Sequence, residues 1–351
     1  MEIKVSNYKS VGNVQMKLGR VTILLGPPAA GKSNLLEATA LAAYFDRFAL
    51  YSGVEPLAKL VRTDDVRGLF LHYDNTKAVE VGVDGGGLRR LLRIYTQRGL
   101  RLELNGIDVP VVPSSRSPHF SYDGIGYEIA DRVKLLEVLG ESVAARLYAF
   151  ERFKGDIVGA VVVGAEAETP PDLLREDGKN FGAVAKRHLE VFRDVNAEQK
   201  ELSQVEINLL DDGRTAAFDG YTVERPPDSL LRVLYYLIGL SSLASFAELR
   251  GLEGRAIALL EEPETHPRLL HLLVKYIARF SEVGYVVITT HNPVLASLLR
   301  DRLEVALYYV YRGCTGLTEV AELDKDKMAE ELVTSEDVLF MKPREVLRFK
   351  R

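Results

Sequence analysis

Three short apolar runs stand out in the hydrophobic pattern of this chain. They are Val21–Leu25, Ala256–Leu260 and Tyr285–Thr289, and each is followed by a turn and then a helical pattern. Continuous apolar runs of this kind are typical of strands buried on both faces of a parallel sheet. The intervening helices would cover that sheet. We therefore predict an α/β fold whose central, mostly parallel sheet is built from both ends of the chain.

The middle of the chain has a less regular pattern. Residues 69–104 carry strand-like runs broken by turn residues, which predict an antiparallel β lobe. The other predictions are a loop at 110–126, helices at 127–152 and 180–201, and a hairpin made of Val205–Leu210 and Thr215–Val223. A long heptad run is lacking, so an extended coiled coil is not expected.

Composition narrows the class of protein. The chain has 351 residues, of which 47% are apolar and 27% charged, as in soluble globular proteins of one or two domains. The 45 basic and 50 acidic residues give a net charge of -5, which excludes a strongly basic nucleic-acid coat but not a local patch. The single cysteine, Cys314, excludes an intrachain disulfide and a Cys-rich zinc site. The absence of an apolar leader or membrane-length run predicts a cytoplasmic protein without membrane contact.

A phosphate-binding motif follows the first apolar run. Residues 26–33 read GPPAAGKS and match G-x-x-x-x-G-K-[ST] between a predicted strand and a predicted helix. Backbone amides of such a loop wrap phosphates, the lysine reaches the β- and γ-phosphates, and the serine holds Mg²⁺. The alternative is a chance match in a glycine-containing turn. The predicted ATP-binding residues are Gly26, Pro27, Pro28, Ala29, Ala30, Gly31, Lys32, Ser33 and Asn34.

Polar side chains follow the other two predicted strands. Glu261 and Glu262 end the second strand, and His291 comes just after the third. In a phosphate-loop protein the first glutamate would serve Mg²⁺, the second would polarise the attacking water, and the histidine would contact the γ-phosphate. The alternatives are solvated loop glutamates and a structural histidine. We predict Lys32, Glu262 and His291 as catalytic residues, with Ser33 and Glu261 on the metal.

Together these motifs resemble a known family. The order GPPAAGKSNLLEA, LLEEPE and VVITTHNP is similar to ABC-type P-loop ATPases of the RecF/SMC-like branch, especially compact members without coiled coils and the ATPase part of OLD-family proteins. The opening VSNYKSVGNVQMKLGRVTILL and the stretch DGKNFGAVAKRHLE resemble further elements of that family. The resemblance implies that ATP is sandwiched between two head-to-tail copies, and that hydrolysis opens this dimer.

The resemblance also suggests how the chain is divided. We expect one ATPase head over 1–351. Its parts are a β-rich lobe with the phosphate loop (about 1–125), a helical insert lobe (about 126–228), the rest of the ATPase core (about 229–320) and a basic tail (321–351).

Several positions depart from the family pattern. Ala29 and Ala30 stand where relatives often have Gly and Ser, and Glu261 replaces the usual Asp. The run through Thr265–Pro267 is shorter than in relatives. In the signature loop, Ser229 would face the partner's γ-phosphate, or it is simply the start of a helix. For the glutamine that contacts Mg²⁺ in many relatives, the candidates are Gln15 and Gln97.

A basic stretch, 88–101, adds a candidate surface. Arginines surround Tyr95 there, namely Arg89, Arg90, Arg93, Arg98 and Arg101. Such a face could bind nucleic acid, could be a solvated strand with neighbouring acids, or could lie near the nucleotide. The tail from Lys342 to Arg351 is also basic, and could bind a partner or be solvated.

These observations favour an ATP-hydrolysing, dimerising ATPase. The resemblance places such proteins in nucleic-acid maintenance, repair or defence. The alternative is an ATP-gated switch with little turnover whose effector is a separate protein. A transporter motor and a small-molecule phosphotransferase fit the motifs less well.

Overall fold

The structure is a computed structural model that describes residues 1–43, 54–97, 99–115, 118, 120–130, 144–163, 173–203, 205–218 and 223–351. Its α-helices are α1 (Lys32–Ala43), α2 (Val54–Val61), α3 (Phe150–Val163), α4 (Phe181–Ala185), α5 (Leu189–Leu202), α6 (Asp228–Leu249), α7 (Pro267–Val283), α8 (Pro293–Arg302), α9 (Lys325–Glu330), α10 (Ser335–Phe340) and α11 (Pro343–Val346). Short 3₁₀ helices occupy Val66–Leu69, Leu71–Tyr73 and Leu347–Phe349.

The strands are β1 (Glu2–Tyr8), β2 (Val11–Lys17), β3 (Val21–Leu25), β4 (Val79–Gly85), β5 (Leu88–Tyr95), β6 (Arg101–Leu104), β7 (Ile107–Val109), β8 (Val111–Pro113), β9 (Phe120–Tyr122), β10 (Ile125–Ile129), β11 (Ala144–Tyr148), β12 (Glu206–Leu209), β13 (Thr215–Phe218), β14 (Val223–Glu224), β15 (Ala256–Glu261), β16 (Gly284–Thr289), β17 (Val305–Arg312) and β18 (Thr318–Glu322).

Twelve strands form one sheet in the order β11-β15-β16-β3-β17-β18-β2-β1-β4-β5-β6-β7. The first five are parallel neighbours. From β17 onward the pairs are antiparallel, apart from the parallel contact of β18 with β2. The predicted α/β fold with a parallel centre and an antiparallel lobe is confirmed, and both parts belong to one continuous sheet.

The parallel strands are buried on both faces. Along β15, Ala256, Ala258 and Leu260 belong to one core, whereas Ile257 and Leu259 belong to the other. Successive side chains of a strand point to opposite faces, so each core needs its own cover. Helices α6 and α7 cover one face, and α1 covers the other. This double burial explains why the three apolar runs lack polar alternation.

Helix α6 is long and apolar enough to cross a bilayer by length and composition alone. It has 22 residues, and its most apolar window has a mean hydropathy of 1.6, but 72% of that window is buried inside the molecule. The helix packs against α7 and strands β11 and β15. Its hydrophobicity is therefore that of a core helix.

Two predictions for the middle of the chain were wrong. Residues 144–148 form β11 rather than a helix, and the loop predicted at 110–126 contains strands β8, β9 and the start of β10. A short apolar run such as AARLY is ambiguous in sequence, and here parallel pairing with β15 decides the outcome. Of the rest of this predicted helix, residues 127–129 belong to β10, residues 150–152 begin α3, and residues 131–143 lie outside the described part of the chain. The predicted hairpin of 205–223 is confirmed as β12 and β13.

Candidate functional site

The phosphate loop connects β3 to α1 and packs closely against the β17–β18 hairpin. A Cβ on Gly26 would come within 2.0 Å of the carbonyl oxygen of Val310, and one on Gly31 within 2.1 Å of the Thr318 hydroxyl. Both glycines also have a positive φ, of 146° and 107°. Glycine is therefore required at both positions, for space as well as for backbone conformation.

Ala29 has a left-handed backbone, with a φ of 59°. Its carbonyl accepts a hydrogen bond from Arg312 Nε at 2.9 Å, and the carbonyl of Ala30 accepts one from Thr318 Oγ1 at 2.9 Å. A left-handed alanine costs about 1 kcal/mol relative to glycine. The hairpin contacts hold this loop in shape, which accounts for an alanine at a position where glycine is the more common residue.

The ammonium of Lys32 is folded back into the loop. It donates to the carbonyl oxygens of Gly26 at 2.8 Å and Pro27 at 3.0 Å. Burial lowers the pKa of Lys32 to about 8, although Glu262 and Glu264 oppose this effect. The lysine thus rests among acceptors that a bound polyanion would replace.

The acidic pair ends β15, whose register with β16 places Glu261 opposite Thr289. Glu261 is largely buried, and both of its oxygens accept hydrogen bonds from Arg152, one of them at 2.6 Å. Burial would raise the pKa of Glu261, but the hydrogen bonds from Arg152, with a smaller contribution from the Ser33 side chain, hold it below its usual value.

Glu262 has a strained backbone, with a φ of 44°. Its N–H donates to the carbonyl oxygen of Thr289 at 3.0 Å, which pins the end of β15 to the end of β16. Its carboxylate lies 3.1 Å from His291 Nε2. The hydrogen bond from His291 lowers the pKa of Glu262, against a smaller opposing effect of burial. Backbone strain of this kind is concentrated at functional sites.

A third carboxylate, Glu264, holds the loop that carries the histidine. Its Oε1 accepts from the Thr290 hydroxyl at 3.0 Å and from the His291 N–H at 2.8 Å. Asn292 then caps α8, since its side chain accepts from Val294 N at 2.9 Å. In the sequence, Glu264 is only the last residue of the LLEEPE motif. Its contacts with Thr290 and His291 form because the ends of β15 and β16 lie side by side.

These elements enclose a cleft of about 210 Å³. Its lining consists of Ala29, Ala30, Gly31, Lys32, Ser33, Asn34, Arg62, Glu262, His291 and Arg312. The structure therefore brings together the three predicted catalytic residues and most of the predicted phosphate loop. Gly26 and Pro27 contribute carbonyls to Lys32, and Pro28 is exposed beside the cleft.

Two cleft arginines were missed by sequence reasoning. Arg62 donates to Asn34 Oδ1 at 3.1 Å and pairs with Glu37 at 2.6 Å, and it has a left-handed φ of 50°. Arg312 ends β17 on the other side of the loop and bonds to Ala29. Neither belongs to a motif, and nothing in the local sequence marks them as neighbours of the phosphate loop.

Behind the cleft, Glu37 is a buried hub on α1. Its side chain is 0% exposed, and it pairs with Lys9 at 2.6 Å, Arg62 at 2.6 Å and Arg152 at 2.9 Å. A buried carboxylate is stable only with such partners. Glu37 therefore ties the phosphate-loop helix to α2, α3 and the β1–β2 turn.

Other predicted residues lie away from the cleft lining. Ser229 is exposed in the first turn of α6, and its carbonyl accepts from the Thr265 hydroxyl at 3.2 Å. The neighbouring Asp228 pairs with Lys154 at 2.7 Å and Arg225 at 3.0 Å. The amides of Gln15 and Gln97 bond to Glu2 and to the carbonyl of Thr76. Neither glutamine lies in the cleft lining, so neither candidate for the metal-contacting glutamine is supported.

Arg90, Arg93 and Arg101 of the 88–101 stretch have separate structural roles, whereas Arg89 is exposed. Arg90 is 2% exposed and donates to the carbonyl of Ala43 at 2.6 Å, at the end of α1. Arg93 bridges Glu80 at 2.7 Å and Glu103 at 2.8 Å. Arg101 pairs with Asp108 at 2.9 Å, and Arg98 lies outside the described residues. For the part of this stretch that the structure describes, these contacts favour the alternative of a strand whose arginines pair with neighbouring acidic residues.

The basic tail also folds back on the molecule. Arg348 pairs with Glu331 at 3.2 Å and Arg351 with Glu322 at 2.9 Å, while Val346 and Phe349 are buried. These contacts favour a packed C-terminal segment over a free basic arm.

No protein-family model and no curated protein sequence matches this chain. Solved structures do match its fold. One is an SMC head bound to the C-winged helix domain of ScpA, 15% identical with a TM-score of 0.55, over 94% of this chain and 98% of that one. Another is an SMC head with an extended coiled coil bound to the C-terminal domain of ScpA derived from Pyrococcus furiosus, 14% identical with a TM-score of 0.52, over 94% and 98%.

The fold of this chain is thus similar to that of SMC head domains. The RecF/SMC-like resemblance predicted from three separated motifs is confirmed at the level of the fold.

Proposed function

We propose that this chain binds and hydrolyses ATP. The observation that carries the proposal is the meeting of Lys32, Glu262 and His291 in one small cleft, although the sequence separates them widely. The cleft is also suited to a polyanion, because it contains the cations Arg62 and Arg312 and the N–H donors of the loop backbone. A carboxylate and an imidazole at its open side suit attack by water on a terminal phosphate.

In this mechanism Lys32 leaves its carbonyl partners and binds the β- and γ-phosphates. The oxygen of the attacking water bonds to the γ-phosphorus while Glu262 accepts a proton from that water. The bond between the γ-phosphorus and the β–γ bridging oxygen breaks. The products are ADP and phosphate. His291 leaves Glu262 to contact the γ-phosphate, which frees the carboxylate to act as a base. Glu264 positions this histidine through its backbone.

Ser33 and Glu261 are the residues that would hold Mg²⁺. Both offer oxygen atoms of the kind Mg²⁺ prefers, and the Ser33 side chain contributes to lowering the pKa of Glu261. Among the residues that the structure describes, no cluster of three His, Cys, Asp or Glu side chains could hold a metal. Any ion held here would therefore have to share its shell with nucleotide phosphates and water. When bound, the ion would offset phosphate charge.

The ATP-bound form is proposed to be a head-to-tail homodimer. Ser229 is exposed at the start of α6, where a second copy could reach it with its phosphate loop. The Asp228 carboxylate beside it would repel a phosphate, but this charge is offset because Lys154 and Arg225 already pair with it. The neighbouring Thr265 bonds to the backbone of Ser229, so the segment after the acidic pair is linked to this surface.

Light scattering after size exclusion tests the dimer. Glu262→Gln with ATP should dimerise and retain ATP more than wild type, while Lys32→Ala should do neither. Glu201→Gln, on an exposed glutamate outside the cleft lining, is the matched control and should behave as wild type. If Glu262→Gln neither retains ATP nor dimerises beyond wild type, the sandwich mechanism is wrong.

A second candidate is an ATP-gated switch with little turnover. It is favoured by the engagement of both Glu261 oxygens with Arg152, which competes with a metal-assisted reaction. Steady-state phosphate release separates the two candidates. Turnover that Lys32→Ala abolishes would exclude the switch without hydrolysis.

We further propose a cytoplasmic setting in nucleic-acid maintenance, repair or defence, with a separate protein as the effector. The SMC heads of similar fold were solved with ScpA domains, which supports a protein partner. The paired arginines of the 88–101 stretch make direct nucleic-acid binding there less favoured. Adding duplex DNA to the light-scattering experiment tests both partners, since only direct binding shifts the mass without an effector.

A further inference from the structure

Arg152 lies where the parallel sheet meets the predicted metal carboxylate. β11 runs parallel to β15 with Tyr148 opposite Leu260, so the first turn of α3 follows directly beside Glu261. The Arg152 side chain is only 8% exposed. It is held from several sides and is not a surface arginine that happens to point inward.

The guanidinium bridges two carboxylates and a carbonyl. It donates to both oxygens of Glu261 and to the carbonyl of Leu60, and it forms an ion pair with Glu37 Oε1 at 2.9 Å. Two-oxygen pairing between arginine and a carboxylate is the strongest common form of ion pair. Glu37 does not depend on Arg152 alone, because Lys9 and Arg62 also pair with it. The part of this network that depends on Arg152 is the neutralisation of Glu261.

The Arg152 guanidinium and a divalent cation would compete for the carboxylate oxygens of Glu261. Mg²⁺ needs oxygen lone pairs in near-octahedral geometry, and both oxygens of Glu261 are already hydrogen-bonded. Placing a double positive charge beside a largely buried guanidinium is also unfavourable, since screening by water is weak there. Any metal would have to displace Arg152 toward Glu37 and Leu60, or reach Glu261 only through water.

We propose that Arg152 is the resident counter-ion of Glu261 and that it weakens Mg²⁺ binding there, so that this protein binds nucleotide with little dependence on Mg²⁺. This inference rests on the proposed nucleotide site. It assigns to Arg152 a positioning and metal-excluding task that no motif in the sequence indicates.

The test compares the affinity for mant-ATP in Mg²⁺ and in EDTA. For wild type the two dissociation constants should agree within about threefold, whereas Arg152→Gln should bind at least about tenfold more tightly with Mg²⁺. Arg152→Lys keeps the charge but cannot bridge both oxygens, so its ratio should lie between them. Arg93→Gln also removes an arginine that bridges two carboxylates, but outside the cleft lining, and should match wild type.

A second measurement does not depend on nucleotide. Mn²⁺ titrated without ATP and followed by electron paramagnetic resonance should bind to Arg152→Gln more tightly than to wild type. Equal Mg²⁺ dependence and equal Mn²⁺ binding in the two proteins would overturn the inference. If mant-ATP binds in neither buffer, the proposed function fails, and the Mn²⁺ titration alone then decides the task of Arg152. Thermal unfolding of each variant confirms that it is folded.

Discussion

Two groups of arginines in this protein differ in how conspicuous they are in the sequence and in where the structure places them. The 88–101 stretch is conspicuous in sequence, yet Arg90 is buried and Arg93 and Arg101 are paired with carboxylates. Arg62 and Arg312 are isolated in sequence, yet both line the cleft beside the phosphate loop. Local density of positive charge is therefore a poor guide to ligand binding. What matters is where the fold places each arginine relative to the phosphate loop.

Removing the two cleft arginines should have the largest effect on ATP affinity, and it tests this comparison most directly. The double variant Arg62→Gln/Arg312→Gln should lose about 100-fold in ATP affinity, or about 2.7 kcal/mol, because two cations near the phosphates are removed. The matched pair Arg93→Gln/Arg101→Gln should stay within about twofold of wild type. Titration with mant-ATP measures both. Equal losses in the two pairs would show that the stretch, too, faces the nucleotide.

Arg90 should affect stability and not binding. Arg90→Met should lower the free energy of unfolding by about 2 kcal/mol, since a buried donor to the end of α1 is lost. Urea denaturation measures this, with the exposed Arg101→Met as control. A loss of ATP affinity at unchanged stability would contradict the structural assignment.

Glu264 provides a similar test for a carboxylate whose role is evident only from its contacts in the structure. Glu264→Ala should lower kcat about tenfold with little change in KM, because the backbone of His291 loses its acceptor. Glu264→Gln should keep most of the activity, since an amide oxygen can accept both hydrogen bonds. Phosphate release at saturating ATP is the readout. If the glutamine variant is as impaired as the alanine variant, the negative charge and not the acceptor geometry is what matters.

The smallest expected effect concerns pH. Because the pKa of Lys32 is lowered to about 8 by burial, the free protein loses this charge as pH rises through 8. Bound phosphates would restore the proton, so ATP affinity should fall by up to about tenfold between pH 7 and pH 9. Calorimetry in buffers of different ionisation enthalpy should detect proton uptake at pH 8.5 and not at pH 6.5. Lys32→Arg, which stays charged, should show no such uptake; uptake that persists would assign it to another group.

Much of this molecule followed from its sequence. The apolar runs at Val21, Ala256 and Tyr285 predicted the parallel strands, because double burial leaves no polar alternation. The phosphate loop, the acidic pair and His291 were found because each follows a strand directly, and parallel strands bring their carboxyl ends to one edge. The resemblance in motif order was sufficient to predict the fold class.

Only the tertiary structure decided which side chains complete the site. Four residues, Arg62, Arg152, Glu37 and Arg312, come from separate segments of the chain and meet through sheet order and helix packing, which no local pattern encodes. Strand β11 likewise could be identified only once β15 was available as its partner. Local propensity and periodicity determine elements, because they act between near neighbours in the chain. Charge compensation acts through space, and its partners are chosen only when distant segments fold together.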